Sequence, residues 1–171
     1  VPAKEDDSHT NLHFDPIGKS IQGRWIQGEK GRFLPVLDLN LFQLSWLNAS
    51  FDIVKSYDLD GRLQAQVEEA IAADLAELGF NPNGFRDELH FDIGFNPYQT
   101  KAFERPDAAG MESWITYRTL ALHSCEELLA RFESDGETRI WPHHFDTGTY
   151  FELQEPYNLG IGFGLAVQDD M

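Results

Sequence analysis

The spacing of apolar residues changes along the chain, and this change constrains the fold more than any other feature of the sequence. Between residues 37 and 46 apolar and polar residues alternate, with a reversal of phase after Leu41. Such alternation is typical of strands with one buried face, so this segment predicts two strands or one bulged strand. Residues 51–57 predict a partner strand, because residues 48–50 form a connection of hairpin length. Together these segments predict an antiparallel meander.

Two later segments have apolar residues about one helical turn apart. The first runs from Leu63 to Leu78 and is followed by Gly79, a residue suited to the end of a helix. The second, residues 111–132, has a continuous apolar stripe that is predicted to pack on the sheet. The stripe consists of Trp114, Tyr117, Ala121, Cys125, Leu128 and Phe132.

Further strands are predicted at residues 89–95, 138–141, 149–153 and 159–167. The elements therefore follow the order strands, helix, strand, helix, strands. This order predicts an α+β domain in which two amphipathic helices pack on an antiparallel or mixed sheet. A length of 171 residues fits one domain, residues 1–171. The polar, Asp-rich residues 1–10 are predicted to form an exposed arm.

The charge of the chain limits its partners. It contains 29 Asp and Glu against 13 Lys and Arg, for a formal net charge of -16. Such a surface repels phosphate backbones and anionic lipid headgroups, so neither nucleic acid nor a membrane is expected as a partner. The longest apolar run, residues 159–167, is much shorter than the roughly 20 residues of a membrane-spanning helix. Cys125 is the only cysteine, which excludes an internal disulfide and favours a cytoplasmic location.

The tripeptide His-Phe-Asp occurs three times, at residues 13–15, 90–92 and 144–146. In a strand, residues i and i+2 share a face, so each copy would bury Phe and present His and Asp together on the other side. The simplest interpretation is that each pair bonds to itself or to nearby backbone and stabilises a strand edge. The first copy is the poorest candidate for chemistry, because Pro16 follows it and interrupts the strand ladder.

The two later copies also predict a metal site. Pairing of the strand around Leu89 with the strand around Ile140 would gather four side chains into a cluster that suits zinc, iron or manganese. The four predicted ligands are His90, Asp92, His144 and Asp146. The first three have the order of the facial triad of non-haem iron oxygenases. However, a long helix is predicted where the barrel of those enzymes would run, and no arginine after Arg139 is present to hold an oxoacid cosubstrate.

Two other patterns point to chemistry. Asp146-Thr147-Gly148 resembles the aspartic-protease signature, in which two carboxylates share a proton, and a homodimer could supply the second Asp. Gly160, Gly162 and Gly164, with Ala166, leave one face of a predicted strand bare. A bare face allows close approach, either by a packed element such as a Trp side chain or a helix, or by a ligand.

Three segments resemble an uncharacterised family of bacterial hypothetical proteins. They are residues 7–12, residues 140–148 with the string Trp-Pro-His-His-Phe-Asp-Thr-Gly, and the glycine-rich residues 159–167. The resemblance brings no activity, cofactor or catalytic residue with it. It implies a helix before the arm and a strand after the glycine-rich run. The given sequence includes neither, so the chain is expected to be a fragment or a processed form. It also adds His9 and His143 to the polar residues of interest.

These patterns leave three hypotheses open. The first is an α+β domain that binds a small molecule or a divalent metal, with His144 and Asp146 at its polar centre. The second is a metal-dependent enzyme, oxygen-using or hydrolytic, built on His90, Asp92 and His144. The third is an interaction module with an exposed apolar patch on the order of several hundred Å². Convergence of the named side chains in a concave pocket would distinguish an enzyme from a locally bonded strand edge.

Overall fold

The computed structural model describes residue 4 and residues 8–87, 98, 100–142 and 144–166. In these residues two helices and nine antiparallel strands form the α+β fold that the order of the predicted elements indicates. The predicted strand at residues 89–95 lies outside the described residues. The elements are β1 (His13–Asp15), β2 (Ser20–Gln22), β3 (Ile26–Gly28), β4 (Gly31–Asp38), β5 (Gln43–Leu47), β6 (Ile53–Asp58), α1 (Gln64–Glu77), α2 (Ala108–Arg131), β7 (Arg139–Trp141), β8 (Asp146–Leu153) and β9 (Leu159–Leu165).

The first sheet has six strands in the order β1-β2-β4-β5-β6, with β3 paired to β4. Strands β4, β5 and β6 are the predicted meander. The reversal of phase after Leu41 is a turn between two strands, not a bulge within one. In this turn the Asp38 carboxylate accepts hydrogen bonds from the N–H groups of Asn40 and Leu41, at 2.9 and 2.8 Å. A side chain that bonds its own following backbone in this way favours a turn over a continued strand.

Helix α1 packs on the meander, as its spacing predicts. It ends at Leu78, and Gly79 follows with φ +83°, a left-handed conformation that glycine adopts without a Cβ clash. The buried side chains Leu75 and Leu78 pack with the sheet residues Phe33, Trp46 and Tyr57. Full burial of one such side chain contributes roughly 1.5–3 kcal/mol.

Helix α2 begins where the Asp107 carboxylate accepts a hydrogen bond from the Gly110 N–H at 2.9 Å, an N-cap interaction. Its predicted buried stripe is partly wrong. Only Ala121 and Cys125 of the six residues are buried, and Phe132 is 42% exposed. The helix is rotated because it buries a charged residue that the apolar pattern assigns to solvent. The buried residues are Ile115, Arg118, Ala121, Leu122, Cys125 and Leu129.

The second sheet has the order β7-β8-β9 and joins the first through one antiparallel bridge. At this bridge the N–H of Leu12 donates to the Ile140 carbonyl at 3.0 Å, and the N–H of Ile140 donates to the Leu12 carbonyl at 2.9 Å. Ile140 is fully buried and packs in a core with Phe14, Ile115 and Leu122. The opposite side of the junction lies outside this core.

Candidate functional site: a cleft at the junction of the sheets

The bridge between Leu12 and Ile140 determines which side chains point away from the core. Because side chains alternate along an extended chain, the neighbours of both residues point to the opposite face. These neighbours are Asn11, His13, Arg139 and Trp141. Asn11, Arg139 and Trp141 line a cleft of about 780 Å³. This volume falls in the range of roughly 300–1,000 Å³ that is typical of small-molecule sites.

Two arginines dominate the charge of the cleft. Arg24 and Arg139 line it together with an adjoining cavity of about 380 Å³ that contains His13. Their side chains are 29% and 19% exposed. Glu137 forms ion pairs with both arginines. Its Oε2 accepts hydrogen bonds from Nε and Nη2 of Arg139 at 2.9 and 2.6 Å and lies 3.9 Å from Nη1 of Arg24. Among the described residues, a single carboxylate therefore forms ion pairs with both half-buried guanidinium groups.

The pKa values reflect this imbalance of charge. Burial lowers the pKa of Arg24, and the nearby charge of Arg139 lowers it further. The hydrogen bond from Arg139 lowers the pKa of Glu137, which keeps that carboxylate ionised. The side chain of Glu137 is 63% exposed, so water screens its attraction for both arginines. A second anion in the cleft would relieve the repulsion between the two guanidinium groups.

Two buried polar atoms at this cleft have no hydrogen-bond partner in the described part of the chain. They are Oδ1 of Asn11, a residue that is only 2% exposed, and Nε of Arg24. Leaving such a group unpaired costs roughly 1–3 kcal/mol, so native proteins rarely do so without a reason. Arg24 is held in place because its Nη2 donates to the Ser8 carbonyl at 2.8 Å. Both atoms are buried, so they lie behind the surface of the cleft and not on it.

The glycines of β9 belong to the same face of the second sheet as the cleft. Gly148 is opposite Arg139, and Tyr150 is opposite Gly162, so all four residues point away from α2. Tyr150, which is 54% exposed, also lines the cleft. The bare face predicted from the glycines is therefore continuous with the wall of the cleft.

Aromatic rings cover part of this bare face. Cδ1 of Trp141 lies 3.6 Å from the position that a Cβ of Gly148 would take, and the ring of Tyr150 occupies the place of a side chain at Gly160. No described atom lies within 4 Å of the corresponding position at Gly162. Of the glycines of the predicted bare face, Gly160 is therefore covered by an aromatic ring and Gly162 is open, and the approach of a ligand to this face stays a prediction.

The structure places the third His-Phe-Asp copy, residues 144–146, differently from the prediction. His144 is exposed in a turn, and Phe145 has φ +58°, so this copy is not extended and its His and Asp do not share a strand face. Asp146 begins β8 and has a buried Oδ1 without a described partner. His90 and Asp92 lie outside the described residues, so the four-residue cluster stays a prediction. Within the described ranges no group of three or more His, Cys, Asp and Glu could hold a metal ion.

The first His-Phe-Asp copy lies beside the cleft, a position that the sequence did not predict. Phe14 is buried in β1, and His13 and Asp15 share the other face, as alternation predicts. Asp15 bonds local backbone, because its carboxylate accepts from the N–H groups of Ile17 and Gly18, both at 3.0 Å. His13, however, lines the cavity beside Arg139. Pro16 follows this copy, but it does not keep His13 away from the cavity.

A third arginine, Arg118, is fully buried between α2 and the second sheet. Its guanidinium lies 4.8 and 4.9 Å from the ring centroids of Trp114 and Phe145 and donates to Oγ1 of Thr147 at 2.8 Å and to the Phe145 carbonyl. Burial lowers the pKa of Arg118 to about 10, so it remains charged at neutral pH. Thr147, the centre of the protease-like tripeptide, is therefore bonded to α2.

A second cavity, of about 340 Å³, lies beside Trp114 and Phe145. All of its lining residues are apolar or glycine, so it provides no polar group to orient a ligand. The cleft at Arg24 and Arg139 combines polar and aromatic walls, and we regard it as the candidate site.

His13 is expected to make stability depend on pH. Burial, followed by the charge of Arg139, lowers its pKa below 6.5, against the opposing effects of Asp15, Glu126 and Glu137. The unfolded chain therefore takes up this proton first as pH falls. The free energy of unfolding should decrease from about pH 6.5 downward and stop changing below the pKa of the folded protein.

Urea unfolding of wild type and His13→Gln between pH 7.5 and 5.0 measures this effect. His13→Gln should have the shallower slope, whereas His123→Gln, at an exposed position of α2, should retain the slope of wild type. Parallel slopes for wild type and His13→Gln would show that His13 does not titrate differently on folding.

The fold and the site together define an α+β domain with a cationic, aromatic-walled cleft between two antiparallel sheets. No family model, curated protein or solved structure matches the chain in three separate comparisons. Neither helix in the described ranges is long and apolar enough to cross a membrane.

Proposed function

We propose that the chain binds a small organic anion in this cleft and that the guanidinium groups of Arg24 and Arg139 hold its charged group. The observation that supports the proposal is the sharing of one exposed carboxylate, that of Glu137, by two half-buried arginines. Guanidinium groups suit carboxylates and phosphates because their donors form a planar fork.

The composition of the cleft favours binding over catalysis. Its described lining combines charged side chains, an amide, a hydroxyl and aromatic rings, and includes no histidine or cysteine. Nucleophilic catalysis needs an activated nucleophile within hydrogen-bond reach of a base. Cys125 is buried in the core, where burial raises the pKa of its thiol to about 11. We therefore propose a binding domain and not an enzyme of this kind.

Glu137 acts as an internal competitor in this proposal. Its carboxylate occupies the fork of Arg139, so a ligand carboxylate must displace it or share the guanidinium. Glu137→Gln removes both the competitor and one negative charge. We expect the affinity of Glu137→Gln for benzoate to rise about tenfold over wild type, which corresponds to about 1.4 kcal/mol.

Isothermal titration calorimetry with benzoate and with benzamide, its neutral analogue, tests the proposal. Wild type should bind benzoate in preference to benzamide, and Glu137→Gln should bind benzoate more tightly. Glu104→Gln, which removes the same charge at an exposed position outside the cleft, should match wild type within about twofold. Equal affinity of wild type for benzoate and benzamide would contradict a site built to hold an anion.

A further inference from the structure

The side chains around Arg139 indicate the chemistry of the ligand. The contact with Glu137 shows that the guanidinium of Arg139 can bind a carboxylate oxygen. Its Nε and Nη2 donate to Oε2 of Glu137 at 2.9 and 2.6 Å. The described charged residues that line the cleft are Lys4, Arg24, Arg139, Asp135 and Glu137, three cationic and two anionic, so the described lining has one positive charge in excess. One carboxylate balances the excess of the described lining, whereas a doubly charged phosphate monoester would exceed it.

Two aromatic residues flank Arg139 on the same face of the sheet. Trp141 is two residues further along β7, and Tyr150 is two residues beyond Gly148, the partner of Arg139 on β8. Because the strands are antiparallel, these two residues lie on opposite sides of Arg139. A group held by Arg139 therefore has an aromatic neighbour on either side.

The glycines give these rings their orientation. Tyr150 lies along the sheet over Gly160, where its Cζ and Cε2 would be 3.0 and 3.1 Å from an added Cβ. A side chain at Gly160 would push the ring upright and into the cleft. Gly162 keeps the neighbouring surface open. Aromatic rings next to a flat, open backbone surface suit a planar partner, because stacking requires a free ring face.

We infer that the ligand is a planar aromatic monocarboxylate, whose carboxylate is held by Arg24 and Arg139 and whose ring packs against Tyr150, one of the two aromatic residues that flank Arg139. This inference rests on the proposed function and adds the class of ligand to it. The saturated, non-planar analogue of the same charge should bind less well.

Calorimetric titration of the full chain with four probes tests this inference. The probes are benzoate, cyclohexanecarboxylate, acetate and phenyl phosphate. We expect benzoate to bind at least fivefold more tightly than cyclohexanecarboxylate, because only the planar ring can stack. Tyr150→Leu should abolish this preference. Tyr157→Leu should preserve it, because Tyr157 is 72% exposed and lies outside the cleft.

The outcomes separate the two proposals. Equal affinities for benzoate, cyclohexanecarboxylate and acetate would overturn the aromatic class and leave the proposed anion site standing. Phenyl phosphate binding tenfold more tightly than benzoate would overturn the assignment of a carboxylate. A preference for benzoate that survives in Tyr150→Leu would overturn the role of the ring. Failure of all four probes to bind wild type and Glu137→Gln would overturn both proposals.

Discussion

Replacement of Arg139 by glutamine should weaken the binding of benzoate about 100-fold, the equivalent of about 2.8 kcal/mol. The substitution removes a half-buried positive charge and the planar fork that already holds a carboxylate oxygen of Glu137. Hydrogen bonds to charged groups contribute roughly 1.5–3 kcal/mol each, and the loss of charge adds to this. Calorimetric titration of the variant with benzoate gives the affinity directly.

Two further variants show whether the effect belongs to the site. Arg139→Lys keeps the charge without the fork and should lose about tenfold, between wild type and Arg139→Gln. Arg62→Gln removes an exposed arginine outside the cleft and should bind like wild type. If Arg139→Gln and Arg62→Gln weakened binding equally, the attraction would come from the overall charge of the protein and not from the cleft.

Replacement of Arg118 by alanine should lower the free energy of unfolding by about 3 kcal/mol. The change empties the space between Trp114 and Phe145 and leaves Oγ1 of Thr147 and the Phe145 carbonyl without their donor. Removal of the buried charge offsets part of this loss, because that charge pays a desolvation cost in the folded state. Urea unfolding measures the difference, which should lower Tm by roughly 6–12 °C in a chain of this size.

A matched series separates packing from hydrogen bonding at this position. Arg118→Met retains most of the buried volume and should lose about 1–2 kcal/mol, since only the donors are missing. Arg131→Ala, at an exposed position in the last turn of α2, should change the stability by less than about 0.5 kcal/mol. An Arg118→Ala variant as stable as Arg131→Ala would show that the buried guanidinium has no net role in stability.

Local signals were sufficient to predict most of the fold. Helix α1, which ends before Gly79, and the hairpin at residues 48–50 depend on neighbours in the chain, so their patterns appear in the sequence. The buried face of α2 was predicted less well, because Arg118 interrupts the apolar stripe. A charged side chain can be buried only where other elements supply partners, and those partners come from β8 and the preceding turn.

The candidate cleft could not be predicted in the same way. Arg24 and Arg139 are far apart in the chain, and the bridge between Leu12 and Ile140 helps to bring them to one cleft. Non-local pairing of this kind leaves no periodic pattern in the sequence. The bare glycine face was the one sequence signal that pointed to the side of the second sheet on which the cleft lies. The His-Phe-Asp repeat directed attention instead to His144, which is exposed.

The most direct test of the anion site is the crystal structure of the protein with 4-bromobenzoate, in which anomalous scattering locates the bromine. We expect the carboxylate within hydrogen-bond distance of the Arg24 and Arg139 guanidinium groups and the bromine on the side of the cleft where Tyr150 lies. A bromine in the apolar cavity beside Trp114 and Phe145, with the cleft empty at saturating ligand, would contradict the proposed function.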